Sequence, residues 1–252
     1  MGAPEPNPAV ERLAAALLSA ERPILLTGQR LDPEGIGELA QAQSEWGKRA
    51  DLDRLLTAPG DFWAFFLPVA RAAAARVPGP SHRAIARLQA AGTVDAIITQ
   101  AVDRLHERAG SHGVVEVYGN VLSARCERCG ERYGLDEVTA LVDAAADAVP
   151  RCTAPDCGYP LRPAGTLWNE ALPQDAVERA WELAADTDLM VIVDSDLRTA
   201  PISLLPSVPL TGGADVILIG AAATRYDRYA RQVVRAPVAA PTLCAVADLI
   251  AG

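Results

Sequence analysis

The chain lacks any run of basic residues: 23 Lys and Arg face 32 Asp and Glu, for a formal charge of -9. A surface of that sign cannot track a phosphate backbone, so nucleic acid is excluded as a direct partner. No apolar stretch reaches the roughly 20 residues that span a bilayer, and the opening Met1 to Pro8 is Pro-rich and polar, without a signal-peptide core. A membrane is therefore not an expected partner, and the expected location is cytoplasmic. Cysteine is sparse, five in 252 residues, and four of the five sit in two close pairs. That pattern suits a metal site in a reducing compartment better than a disulfide framework. The fifth, Cys244, stands in an apolar setting and reads as a buried, inert thiol. Histidine is scarcer still, with only His82, His106 and His112.

What is present is a globular chain, half hydrophobic and long enough to bury a full α/β core. Apolar positions at helical spacing run from Val10 to Ala20, and Ile24-Leu25-Leu26 then forms a short buried strand ending at Thr27-Gly28. The alternation repeats. A helix from about Ser81 to Ala91 precedes the strand Ala96 to Thr99, another from about Gln174 to Ala185 precedes Leu189 to Val193, and a fourth strand runs from Asp215 to Gly220. The pattern implies a Rossmann-like, doubly wound parallel sheet, whose ligands bind at the carboxyl ends of strands. The loops after Leu26, Thr99, Val193 and Ile219 are then the places to seek a site. Residues 123–163 break the alternation and hold both Cys pairs. The expected division is thus a large domain of residues 1–122 and 164–252, with an inserted zinc-ribbon domain at 123–163.

Cys126-Glu127-Arg128-Cys129-Gly130 and Cys152-Thr153-Ala154-Pro155-Asp156-Cys157-Gly158 each set two thiolates on a turn followed by Gly. Four soft ligands with no open position are what tetrahedral zinc takes in a structural site. The second pair is spaced C-x4-C rather than C-x2-C. A small insert buries too little surface to hold itself together without the metal.

Several stretches, in order, resemble the sirtuin family of NAD-dependent lysine deacylases. They are Leu25-Leu26-Thr27-Gly28, Ile97-Ile98-Thr99-Gln100, Asp103-Arg104-Leu105-His106-Glu107-Arg108-Ala109-Gly110, Gly119 leading into the first Cys pair, Leu161-Arg162-Pro163 after the second, and Glu170-Ala171-Leu172-Pro173. The resemblance implies a Rossmann-like domain, a small zinc-binding domain and a cleft between them. It also implies site positions, and many of these carry other residues. The Gly-Ala-Gly-Ile-Ser loop that cradles the NAD phosphates is Gly28-Gln29-Arg30-Leu31-Asp32, and the following Asp-Phe-Arg has no clear match near Glu38-Leu39-Ala40. Thr-Gln-Asn-Ile-Asp becomes Thr99-Gln100-Ala101-Val102-Asp103, and the catalytic His becomes Tyr118. The phosphate-binding Gly-Thr-Ser reads Asp194-Ser195-Asp196, and the Asn near the adenosine reads Gly220. The Phe-Gly-Glu beside the acyl-peptide groove is matched by Trp168-Asn169-Glu170, which keeps an aromatic wall but exchanges the flexible Gly.

Arg30 in place of a Gly blocks close approach to a pyrophosphate, and Asp32, Asp194 and Asp196 would repel it. NAD binding in the family's manner is accordingly not expected. A phenol with an ordinary pKa near 10 is also a poor base at neutral pH. The function expected from these losses is that of a degenerate, zinc-binding relative acting as a binding or interaction protein, with a protein or small molecule as partner. One alternative is a repurposed enzyme whose cleft, with Asp194, Asp196, Asp103 and Tyr118 as polar groups, works on a cationic or neutral small molecule; Tyr118, Gln100 and Asp103 are the candidate catalytic groups for any remaining activity, and His112 a substitute base. The other is a deacylase that retains NAD, with Tyr118 in the His position. An open, well-formed pocket favours an enzyme, a collapsed one a scaffold.

Overall fold

The computed structural model describes residues 7–29, 31–32 and 49–252. Its strands are β1 (Pro23–Thr27), β2 (Ala96–Thr99), β3 (Val114–Glu116), β4 (Ser123–Cys126), β5 (Arg132–Gly134), β6 (Leu161–Pro163), β7 (Leu189–Val193), β8 (Asp215–Ile219) and β9 (Gln232–Val234). Six form one sheet in the order β3-β2-β1-β7-β8-β9, with every neighbouring pair parallel. This is the doubly wound order, and it changes direction between β1 and β7. The remaining three form an antiparallel sheet, β5-β4-β6, around the cysteines.

The four strands and three helices read from the sequence are all present, with ends within two residues of expectation. β1 and β7 are buried at every position, which is why they appear as unbroken apolar runs rather than alternating ones. Successive side chains enter opposite layers. Leu25, Ile97, Val191 and Ile217 pack on one face with the helices Pro8–Ser19, Pro80–Ala90 and Ala240–Ala251. Ile24, Leu26, Ile98, Met190, Ile192 and Val216 pack on the other, against Ala180 and Ala184 of the helix Gln174–Asp186. Local chemistry fixes the entry to the first helix: Asn7 Oδ1 accepts from Ala9 N at 3.0 Å, and Pro8 occupies the first turn. Cys244, read as buried, is only partly so, and rests against this core with its Sγ 3.8 Å from Pro80 O.

A further core joins the helix Pro59–Ala75 to the cysteine-bearing sheet. Phe62, Trp63 and Phe66 are buried with Ala124, Cys126, Tyr133, Val138 and Leu161. Phe62 and Phe66 stack at 5.6 Å between centroids, and Trp63 meets them edge-on at 5.6 and 5.4 Å. The small sheet thus gains its apolar cover from residues far ahead of it in the chain.

Trp63 is fully buried at the centre of that cluster. Trp63→Ala is expected to destabilise the protein by about 3–5 kcal/mol, measured by urea unfolding.

Candidate functional site

A cavity of about 720 Å³ opens at the carboxyl ends of β1 and β2 and runs to the segment after β6. Gln29, Ala101, Asp103 and Tyr118 line one side, Trp168, Asn169, Glu170 and Leu172 the other, and Val69, Ala73 and Val121 its apolar wall. Of the residues suggested for the cofactor only Gln29 lines this space, which it shares with Trp168, Asn169 and Glu170 suggested for the peptide; Gly28, Asp194, Ser195 and Asp196 do not line it. The cleft is open, not collapsed.

Buried Gln100 connects the loops after β2 and β7: Ser195 Oγ donates to Gln100 Oε1 at 2.7 Å. Burial pushes the Tyr118 phenol above its ordinary pKa; Gln100 offsets part of this and Asp196 adds to it. Gly119 turns the chain after Tyr118 at φ +62°, where a Cβ would sit 2.4 Å from Ala164 O. Asp103 is held by Arg76, whose Nη1 donates to its Oδ2 at 2.6 Å in a largely buried pair. Arg76 also lines the cavity. Nothing in its local sequence marks it, because its partner lies 27 residues away.

At the phosphate-loop positions the fold departs from expectation. Arg30 and Glu38-Leu39-Ala40 lie outside the described residues. Gly28 is indispensable: its N–H donates to Val193 O at 2.8 Å, and a Cβ there would lie 1.8 Å from Asp194 O. The Asp32 carboxylate is not aimed at a ligand. It accepts from Ser81 N at 2.8 Å and Ser81 Oγ at 2.5 Å, and meets His82 Nδ1 at 2.9 Å, at the start of the helix Pro80–Ala90. Burial alone would raise its pKa, but the His82 and Ser81 bonds outweigh it and hold the carboxyl below its ordinary value. Asp194 goes the other way: burial, against one hydrogen bond from Ala239 N–H and aided by Asp32, raises it to about 6. Asp196 is exposed, with Arg198 Nε 3.6 Å away. Three carboxylates converging on a pyrophosphate are not what the fold contains.

Two positions where the resemblance implies Gly have a left-handed backbone in this chain. Asn169 stands at φ +61° and Asp194 at φ +48°, and Asn and Asp are the side chains that take the left-handed region most readily. The Asn169 turn is pinned by Glu170, which receives both guanidinium nitrogens of Arg162, the Nη2–Oε2 contact being 2.6 Å, and also Leu167 N at 3.0 Å. Trp168 is 55% exposed beside this turn, and its N–H donates to Ala50 O at 3.0 Å.

Of the histidines, His106 is buried with Nε2 2.9 Å from Thr27 Oγ1, and burial next to His82 drops its pKa to about 3. His112 is no substitute base. It precedes β3 at the amino edge of the sheet, exposed, with its backbone clasped by Gln89. In the small sheet, the Sγ atoms of Cys126, Cys129, Cys152 and Cys157 all lie within 4.8 Å of one another. Cys126–Cys157 and Cys129–Cys152 are each 3.5 Å apart, and Cys157–Cys129 3.8 Å. A tetrahedron of thiolates about 2.3 Å from zinc has edges of about 3.8 Å. The Tyr133 hydroxyl donates to Cys152 Sγ at 3.2 Å and draws that thiol down to about 7.

A model of the Sir2 family matches residues 38–201. An NAD-dependent protein deacetylase of Haloarcula marismortui is 33% identical over 237 residues, 91% of this chain and 90% of that protein. One from Rhodopseudomonas palustris is also 33% identical, over 93% of this chain and 95% of its own. Among solved structures, Sir2Tm bound to a propionylated peptide superposes with a TM-score of 0.78 at 28% identity, covering 92% of this chain and 95% of that one. A Sir2 His-to-Tyr mutant with p53 peptide and NAD gives 0.79 at 28% identity over 96% of both chains.

These findings overturn the expectation of a degenerate interaction protein without NAD-dependent deacylation, and the exclusion of NAD that went with it. The physical error lay in treating side-chain types as if each faced a ligand. The Asp32 carboxylate is taken up by Ser81 and His82, Asp196 stands in solvent beside Arg198, and Asn169 and Asp194 take a left-handed backbone. Among the described residues no helix is long and apolar enough to cross a membrane.

The Asp32 cluster makes stability depend on pH. A carboxyl whose folded pKa is depressed contributes stability above its unfolded value, near 3.9, and loses it as pH falls through the folded one. Asp32→Asn is expected to cost about 1–3 kcal/mol at pH 7, with the gap from wild type closing below about pH 4 in urea titrations.

Proposed function

Since the chain belongs to the Sir2 family, we propose that it is an NAD-dependent protein-lysine deacylase in which Tyr118 stands in the place of the family's catalytic His. The observation that carries this reading is the single open cavity that joins Gln29, Gln100's neighbour Ala101, Asp103 and Tyr118 to the Trp168 turn. Both substrates of such a reaction need access to one space. The residues present fit NAD in outline. Gln29 and Tyr118 reach the cavity, Asp32 is turned inward, and Asp103 is kept in place by Arg76. Gln29, Gln100, Asp103 and Tyr118 would hold it, while Ala101 contributes only a methyl group. Bound NAD would supply the sugar carbon that the acyl oxygen attacks as nicotinamide leaves, and the sugar hydroxyl that carries the acyl group once the lysine amine is released. Trp168 and Asn169 would border the acyl-lysine peptide, and Glu170 would fix their turn through Arg162. The solved Sir2 mutant with tyrosine for histidine is described with both peptide and NAD, which supports a tyrosine-bearing site that holds both.

Tyr118 keeps its proton at neutral pH, so it can donate a hydrogen bond but cannot take a proton from a sugar hydroxyl there. Turnover should therefore be slow.

We further propose that the four thiolates bind one structural zinc, and that residues 123–163, which contain β4, β5 and β6, form the small unit it staples. The edge lengths, with four thiols and no other ligand grouped with them among the described residues, support zinc over a redox role.

Two measurements follow. Elemental analysis should give one zinc per chain in wild type and none in Cys129→Ser, with a lower melting temperature for the variant; folded wild type free of zinc would remove the metal. For the reaction, NAD should give a saturable thermal shift, and Tyr118→His, with an imidazole of pKa about 6.5, should raise acyl-peptide turnover with nicotinamide release by about 10²-fold or more. No shift with NAD, and no turnover in either protein, would sink the deacylase reading.

A further inference from the structure

The helix Pro59–Ala75 turns one face to the cavity, where Val69, Ala73 and Arg76 follow one another at intervals of four and three residues. Arg76 is the cap that ends this helix, and from there its guanidinium reaches two loops. Nη1 donates to Asp103 Oδ2 at 2.6 Å, in the loop after β2, and Nη2 donates to the backbone oxygen of Asp32 at 3.1 Å, in the loop after β1. The Arg76 and Asp103 side chains are 12% and 10% exposed, so water competes little for the bond between them. Both acceptors are anchored further. Asp103 Oδ1 accepts from Leu105 N at 3.2 Å, where the short helix Leu105–Arg108 begins. Asp32 stands in a left-handed turn at φ +53°, with its carbonyl on Arg76 and its carboxylate on Ser81 N and His82 Nδ1. Two acceptors on different loops, met by two nitrogens of one planar group, call for a fork that a lysine ammonium does not possess.

We propose that Arg76 is a positioning residue that ties the loop after β1 to the loop after β2 and so sets where Asp103 stands in the cavity. The tie is a property of the protein without ligand, and rests on the deacylase reading only for the ligand that profits from it. A cation that merely balanced the Asp103 carboxylate would be replaceable by lysine and would leave Asp32 out. Here both bonds leave one rigid group, so a displacement of Asp103 is carried to Asp32 and, through the Asp32 carboxylate, to the start of the helix Pro80–Ala90. Arg76 lies 44 residues from Asp32 and 27 from Asp103, and it joins loops that the cavity would otherwise leave independent.

Amide hydrogen exchange in the ligand-free protein reads both ends of the tie, with Leu105 N–H reporting on Asp103 and Ser81 N–H on Asp32. Arg76→Lys should quicken both, each about fivefold, the share of one hydrogen bond, while the amides of β7 and β8 keep wild-type rates. Asp103→Asn should quicken Ser81 exchange in the wild-type background but add nothing to Arg76→Lys, where the link is already cut. In parallel, calorimetry with NAD should show binding about five- to tenfold weaker in Arg76→Lys. In Arg76→Ala, millimolar guanidinium, which refills the fork, should recover the affinity, and ammonium at the same concentration should not. Wild-type Ser81 exchange or wild-type NAD affinity in Arg76→Lys, an Asp103→Asn effect on Ser81 that is the same in both backgrounds, or rescue by ammonium as well as by guanidinium would each overturn the proposal. NAD failing to bind wild type would count against the deacylase reading instead, because exchange is measured with no ligand present.

Discussion

β1 and β7 lie side by side where the strand order reverses, and their ends come so close that position 28 has no room for a side chain. The Gly28 amide is bound to Val193 O at 2.8 Å, and any Cβ would fall 1.8 Å from Asp194 O. The crevice, the register of the loops above it and the reach of Ser195 to Gln100 all follow from that contact. Were the two strands spread to admit an alanine, the 2.7 Å bond across the switch point would be the first to lengthen. A glycine that reads in the sequence as the first of a phosphate loop is thus also a packing requirement of the sheet itself.

The second organising feature is that charge introduced near the crevice is absorbed by the protein. Asp32 serves as an acceptor for the start of the helix Pro80–Ala90, whose N-cap, Gly79, has no side chain to do so. Asp103 is matched by Arg76, and Glu170 by Arg162. Each pairing replaces solvation with a directed partner, without which a buried carboxylate would be destabilising by several kcal/mol. Among the described residues Asp194 has no cationic partner, and burial drives its pKa to about 6. A dinucleotide would meet a partly protonated group there at slightly acid pH rather than a full charge.

Substitution of side chain without loss of backbone explains why a chain with so many altered motif residues still superposes on solved sirtuins over nearly its whole length. Asn169 and Asp194 take left-handed conformations at small energetic cost, so the turns they occupy keep their shape. The chemistry of the crevice changes while its walls do not. Tyr118 is the clearest case: it occupies the cavity surface on an unchanged turn, held by Gly119, but presents a donor.

The sequence by itself determined the parallel sheet, because strands buried on both faces must be apolar at every position and leave unbroken runs. It also marked the four-cysteine cluster, because two Gly-ended Cys pairs bring their thiols together. Three-residue strands such as β3 and β9 left no such run, and the helix Pro59–Ala75 went unread although its aromatic residues cover the cysteine sheet. Only the tertiary structure decided where each carboxylate points. Asp32 reaches partners 49 and 50 residues away, Asp103 one 27 residues away, and Gln100 one 95 residues away. A motif records residue type at a fixed spacing, whereas the charge a ligand meets depends on hydrogen bonds closed across the fold, and those have no spacing to read.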